Sequence, residues 1–371
     1  MRRLSLGLLL AAGALVVGSC GTKRIIVGVV VPETGVDRGY GQSLEAGIKL
    51  AFDEAVAKQS PPGFQARYRD TLSHPEYAAK EAGDLFKEGA WIVVGGATSS
   101  EAKAMIPEAE KAQRVIISPS ASEPGLAASS NLFFRVYPSD DVEGAVAASF
   151  LVTHRKAASL FVLYGAGPYG EGMLRVITDE VAKLGGKIKK QLPIGPTDWD
   201  KPIGDALKAD KPDAVLICAY ADETLAALSV VRAAQYPGIV CGTSAMATGD
   251  AIKRAGALAD GVFLPIIRVD LHSQAPAVKS FVDKYQAAHG GAEPDMFAAY
   301  GYDAATVALG ALKEGLPQNT PELLQRIMSM ANVQGVTGKL GFDEVGNTIN
   351  RPHIYCIKGG DFEDCDPWPL S

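Results

Sequence analysis

From Ile25 onward the chain alternates short, wholly apolar runs rich in Val and Ile with segments of helical period, and it does so twice. In the first round the apolar runs fall at 25–31, 65–69, 91–94, 115–117 and 132–135, with helical segments at 43–57, 76–87 and 100–113 between them. A strand that is apolar at every position, not at alternate ones, is buried on both faces. Helices between such strands supply the two covers, and connections of that length make the sheet parallel. The second round places strands at 159–164, 187–192, 214–219, 239–241 and 262–265 and helices at 171–184, 202–208 and 224–234. The breaks fall near Tyr137-Pro138-Ser139 and Leu264-Pro265, where proline interrupts the pattern, and three further helices follow at 276–289, 296–314 and from Pro321. The expected fold is α/β, with two doubly wound parallel-sheet lobes and a cleft between them at the carboxyl ends of the strands. A chain of 371 residues exceeds what one core comfortably holds, which agrees with two lobes.

Composition narrows the function. Hydrophobic residues at 47% and charged residues at 21% exclude a disordered chain, and the formal charge of −6 gives no clustered basic surface for nucleic acid. The first residues stand apart: Met1-Arg2-Arg3 is basic, Leu4 to Val17 is apolar, and small residues follow, the three regions of a secretory signal. The apolar run is shorter than a membrane span needs. Its ending, Val17-Gly18-Ser19-Cys20, resembles a bacterial lipobox, which implies a signal over residues 1–19, lipid on Cys20 and an extracytoplasmic, membrane-anchored protein. An ordinary cleaved signal with an incidental cysteine is the plainer alternative. Cleavage leaves 34 basic against 42 acidic residues, a charge of −8. Four thiols then remain in an oxidising compartment. Cys356 and Cys365 bracket a hairpin-like turn and are expected to pair, whereas Cys218 and Cys241, each ending an apolar strand, are either a second bridge or two buried thiols.

Chemistry-bearing motifs do not survive inspection. Gly165-Ala166-Gly167-Pro168-Tyr169-Gly170 spells a dinucleotide fingerprint between a strand and a helix, but Pro168 stiffens the turn and no ribose-binding acid ends the next strand. The five histidines lack metal-ligand spacing, and Ser244 lacks the second glycine of a nucleophile elbow. No catalytic residue, metal or cofactor is expected, and the protein reads as a non-enzyme.

Seven segments in order resemble the type I periplasmic solute-binding proteins of ABC transporters, specifically the leucine/isoleucine/valine-binding family. They are 93–100 (VVGGATSS), 117–122 (ISPSAS), 169–172 (YGEG), 197–200 (TDWD), 211–215 (KPDAV), 300–304 (YGYDA) and 335–343 (GVTGKLGFD). The resemblance covers nearly all of the chain after Cys20. It implies a hinge of three crossovers, with lobe one at 25–137 plus 266–331 and lobe two at 138–265 plus 332–371. It also implies a monomer that delivers a small molecule to the transmembrane permease subunits of an importer, with a sensor for signalling or chemotaxis as the alternative of the same fold.

The family's site carries over residue by residue. Ser99 matches the serine whose hydroxyl meets a ligand carboxylate at a helix N-terminus, beside the plainer role of N-cap. Ser120, Ala121 and Ser122 match the turn that presents amides and a hydroxyl to the same end of the ligand, or are a simple proline-initiated turn. Tyr169 and Tyr220 match aromatics that close from lobe two, and Tyr40 matches a residue flanking the side-chain pocket. In amino-acid-binding members an acid near the position of Ser244 pairs with the ligand ammonium; here 241–247 reads CGTSAMA, without a carboxylate. Either Asp222 or Glu223 takes over, or the ligand keeps a carboxylate and lacks an α-ammonium; the second is expected, a ligand that is not a standard α-amino acid. The family's lobe-one disulfide is also absent, Ser73 and Thr98 standing where its cysteines would be.

Overall fold

A computed structural model describes residues 24–195, 198–267 and 269–366; the signal segment, Cys20 and Thr197 lie outside them. The first sheet holds β1 (Ile25–Val31), β2 (Phe64–Asp70), β3 (Ile92–Gly95), β4 (Val115–Ser118) and β5 (Phe133–Arg135) in the order β2-β1-β3-β4-β5, every pair parallel. The second holds β6 (Ser159–Gly165), β7 (Lys187–Ile194), β8 (Ala214–Cys218), β9 (Ile239–Cys241), β10 (Phe263–Ile266), β11 (His353–Lys358) and β12 (Asp361–Glu363) in the order β12-β11-β10-β9-β8-β6-β7. Its first five strands in the chain run parallel, and β11 and β12 add an antiparallel hairpin at one edge. The opposite edge is β7, mostly exposed along its length. The hairpin is closed by a disulfide between Cys356 and Cys365, while Cys218 and Cys241 are buried free thiols.

Helices α1 (Arg38–Lys58), α2 (Pro75–Lys87), α3 (Ser99–Ala112) and α4 (Gly125–Ser129) connect the first sheet. Then come α5 (Asp140–Ser149), α6 (Pro168–Lys183), α7 (Asp200–Asp210), α8 (Ala221–Ala233) and α9 (Gly249–Ala255). The chain adds α10 (Pro276–Ala288), α11 (Met296–Leu312) and α12 (Thr320–Met328). Pairing α11 with α1 is possible because two glycines face each other's backbone: a Cβ on Gly47 would overlap the Ala298 carbonyl, and one on Gly301 the Leu44 carbonyl. Buried Asp303 of α11 accepts hydrogen bonds from Val336 N (2.9 Å), Thr337 N (2.7 Å) and Thr337 Oγ1 (2.7 Å). Further on, Asn347 bridges to Arg135 at the end of β5. The stretch 336–347, which the family division gives to lobe two, is therefore tied to the first sheet before the chain enters β11.

Helix α5 has no counterpart among the helices read from the sequence. Ser139 caps it, its hydroxyl accepting from Asp141 N, but its buried face carries Asp140, Glu143, Gly144, Ala147 and Ala148. Two carboxylates and a glycine on the buried stripe erase the apolar period that marks a helix.

Candidate functional site

The loops that end β3 and β4 are tied together by hydroxyls. Gly96 turns the chain with φ +69°, and Thr98, not Ser99, caps α3: its side chain accepts from Glu101 N (3.2 Å) while the Glu101 carboxylate accepts from Thr98 N (3.2 Å). Ser99, freed of capping, accepts from the amides of Ser122 (3.3 Å) and Glu123 (3.1 Å) through its Oγ. Ser118 donates to the Gly96 carbonyl and accepts from Ala121 N, and Ser120 donates to the Ala97 carbonyl (2.7 Å). Ser99, Ser120, Ala121 and Ser122 are thus one buried, cross-braced surface of amides and hydroxyls at the N-terminus of α3.

The second sheet faces it with aromatic groups. Tyr169, in the first turn of α6, donates to Thr243 Oγ1 (2.8 Å). Tyr220, which precedes α8, accepts from Ser99 N across the cleft (3.1 Å). The rings form a chain: Tyr169 and Tyr220 have centroids 4.7 Å apart, Tyr220 and Tyr40 6.2 Å, Tyr40 and Phe297 4.6 Å. Tyr137 continues it, 6.0 Å from Phe297 and 4.7 Å from Tyr300. Burial pushes the hydroxyls of Tyr40, Tyr137, Tyr169, Tyr220 and Tyr300 upward, so all stay neutral.

Ser244 joins the same cluster in a role the sequence did not announce. Its amide (2.8 Å) and hydroxyl (2.5 Å) both donate to the carboxylate of Glu143, fully buried on α5. One turn earlier on that helix, Asp140 is also fully buried, its amide on the Ser122 carbonyl (2.8 Å). Burial raises both carboxyls, the Glu143 charge adding to the effect on Asp140. The sequence reading passed over this pair because acids in the first turn of a helix are ordinary complements of its dipole. The available signal was their spacing of three after a serine cap, which puts both on one face.

Asp222 stands at the same cleft. It lines the mouth of the cleft, a cavity of about 570 Å³ that Tyr40 and Tyr220 also border, and pairs there with Arg254 (2.7 Å) while half exposed. Asp37 lines the same mouth, its carboxyl pushed up to about 6 by burial and by Asp222. Among the described residues no group of three or more His, Cys, Asp or Glu is arranged to hold a metal, and no helix is long and apolar enough to cross a membrane.

Two parallel-sheet units whose strand ends converge on a cleft of hydroxyls, amides and aromatic rings define a solute-binding protein. Residues 24–357 match the periplasmic binding protein family, and the chain belongs to it. It is similar to the leucine-, isoleucine-, valine-, threonine- and alanine-binding protein of Pseudomonas aeruginosa, 26% identical over 339 residues, which are 90% of this chain and 89% of the relative. It is also similar to the crystal structure of the branched-chain amino acid transporter substrate-binding protein LivJ of Streptococcus pneumoniae in complex with isoleucine (TM-score 0.81, 26% identity, 92% of this chain and 98% of that one). A third likeness, of fold alone, is to an ABC transporter solute-binding protein of R. palustris in complex with benzoate (TM-score 0.81, 20% identity, 91% of this chain and 94% of that one).

Proposed function

We propose that this chain is the extracytoplasmic substrate-binding component of an ABC importer, anchored by lipid on Cys20, and that it captures a small carboxylate-bearing solute. The candidates are a branched-chain amino acid or a related acid or amide. The observation that carries the reading is the facing of two unlike surfaces. The Ser99 hydroxyl, which accepts from the Ser122 and Glu123 amides and keeps its own proton to donate, faces a carboxylate from the braced 120–122 surface, and Tyr169 and Tyr220 cover it from the other sheet, with the Ser99 amide on the Tyr220 hydroxyl joining the two. Solute binds the first lobe (25–137 plus 266–331, to which 336–347 is tied), and the second (138–265 with the β11–β12 hairpin) closes on three crossovers, excluding water and strengthening each polar contact. The closed monomer then offers a composite face to the permease. No bond of the solute is made or broken.

The test is a thermal-shift screen of the mature protein over amino acids, aliphatic and aromatic acids, and amides. A solute at a hundred times its Kd adds about 2.7 kcal/mol to the folded state. Stabilisation by at least one carboxylate-bearing compound, lost in Ser99→Ala and Tyr220→Ala, is the expected result; a response confined to compounds without a carboxylate refutes it.

A further inference from the structure

The buried ionisable groups beside the aromatic chain are unequal in number. Asp140, Glu143 and Arg135 are all fully or almost fully buried within nine residues of sequence, on the crossover between the two sheets. Arg135 spends its guanidinium on Asn347 Oδ1 (2.7 Å) and the carbonyl of Glu123 (2.8 Å), and its charge acts on Asp140. One buried cation therefore stands beside two buried carboxyls that burial makes reluctant to ionise, and Arg135 answers to Asp140. Glu143 forms no ion pair among the described residues. A carboxyl so placed gives up its proton when a cation arrives beside it.

Three further observations bear on where such a partner would sit. Glu143 uses only the two hydrogen bonds from Ser244, and a carboxylate has about four acceptor positions. Both oxygens of Asp140, Nη2 of Arg135 and the hydroxyl of Tyr300 are buried without a hydrogen-bond partner. The charge of Glu143 is felt at the hydroxyls of Tyr40, Tyr137, Tyr169 and Tyr300, which come from α1, the crossover, α6 and α11. Glu143 therefore sits among the rings that both sheets contribute, behind a Ser244 that holds its carboxylate in place. Electron-rich ring faces around a carboxylate are a setting in which an organic cation is attracted by both.

We propose that the solute carries a positively charged nitrogen and that Glu143, delivered by α5 and oriented by Ser244, is the carboxylate that pairs with it. This rests on the function proposed above and narrows its substrate class to zwitterions. The ligand carboxylate lies at the Ser99 and Ser122 side and the cation at the α5 side. It also replaces the alternative in which the lack of an acid after β9 means the lack of an ammonium: the acid is present, on another element.

The test is isothermal calorimetry on the full mature chain with matched probes: each common L-amino acid, the deaminated acid of the same side chain, and the decarboxylated amine. Wild-type protein is expected to bind at least one amino acid a hundredfold or more tighter than its deaminated acid. Glu143→Gln, which keeps the shape and can still accept from Ser244 through its amide oxygen, should weaken that amino acid by a similar factor. It should leave the deaminated acid within about threefold, as removal of one partner from a buried charge pair requires. A deaminated acid that binds wild type as tightly as its amino acid overturns the proposal, and this comparison needs no variant to fold. So does an amino acid whose affinity is untouched in Glu143→Gln. Binding of amines alone upholds the cation site while refuting the carboxylate reading of the preceding section. Binding of no probe at all refutes both.

Discussion

Asp303 gives the sharpest quantitative handle on the tie between α11 and the 336–347 stretch, because three donors from residues 336–337 converge on one buried carboxylate. Replacing it with alanine strands two amides and a hydroxyl. At about 1–3 kcal/mol for each buried donor left unmade, and with partial relaxation of the loop, the loss is about 3–6 kcal/mol. The charge works the other way. Burial pushes the Asp303 carboxyl from 3.8 up to about 6 against the hydrogen bonds from Thr337 and Val336, so the folded chain holds its proton to higher pH than the unfolded chain does. A group of that kind stabilises fully below its unfolded value and loses the advantage as pH rises through its folded one. Ionisation thus removes about 2–3 kcal/mol of what Asp303 contributes at pH 4, at about 1.4 kcal/mol per unit. The expected cost of Asp303→Ala is therefore greatest at pH 4, falls between pH 4 and 6, and is flat above. Urea unfolding of both proteins at pH 4, 5, 6 and 7.5, compared as differences so that other buried acids cancel, measures it. A cost that is constant with pH, or that grows as pH rises, refutes the reasoning.

Other substitutions separate packing from binding. Gly47→Ala drives a methyl into the Ala298 carbonyl and should push α1 from α11, lowering stability by about 1–3 kcal/mol or more, read as an earlier urea midpoint. Ser99→Ala leaves the Ser122 and Glu123 amides without their acceptor; a loss of about 1–3 kcal/mol in the free protein should accompany weaker solute binding in calorimetry. Tyr220→Phe keeps the ring beside Tyr169 and removes the bond from Ser99 N, so it should cost about 0.5–1.5 kcal/mol of affinity, an order of magnitude at most, whereas Tyr220→Ala should cost more.

The sheets were legible because burial on both faces leaves a mark that needs no alignment: β1, β3, β4 and β8 are apolar almost without a break and lie where those runs fall. Helix α5 was not. A helix that turns two carboxylates inward lacks the stripe by which helices are found, and its acids look like dipole partners. The site divided along the same line. Residues at strand ends and helix starts could be placed from motif and order, and Ser99, the 120–122 turn, Tyr40, Tyr169 and Tyr220 do converge. The capping role considered for Ser99 belongs to Thr98, because the reciprocal bond with Glu101 favours the residue one earlier. Asp222 follows Tyr220 closely in the chain and borders the same cavity, where Arg254 pairs with it. Ser244 was noticed as the place where an acid was missing, and what fills that place comes from residues about a hundred positions away.

The two edges of the larger sheet also bear on how such a chain survives export. An open strand is a template on which another chain can grow, and partly folded copies with unpaired edges are prone to do so. On one side β7 presents Lys187, Lys189 and Lys190 to solvent and carries Pro193, so an incoming strand would meet repelling charges and a missing amide donor. On the other, the β11–β12 hairpin ends in three residues and is fastened by the Cys356–Cys365 bond, which forms only after arrival in an oxidising space. One edge is guarded from synthesis onward and the other only once the destination is reached. Self-association should therefore be greatest before oxidation, and through the hairpin side.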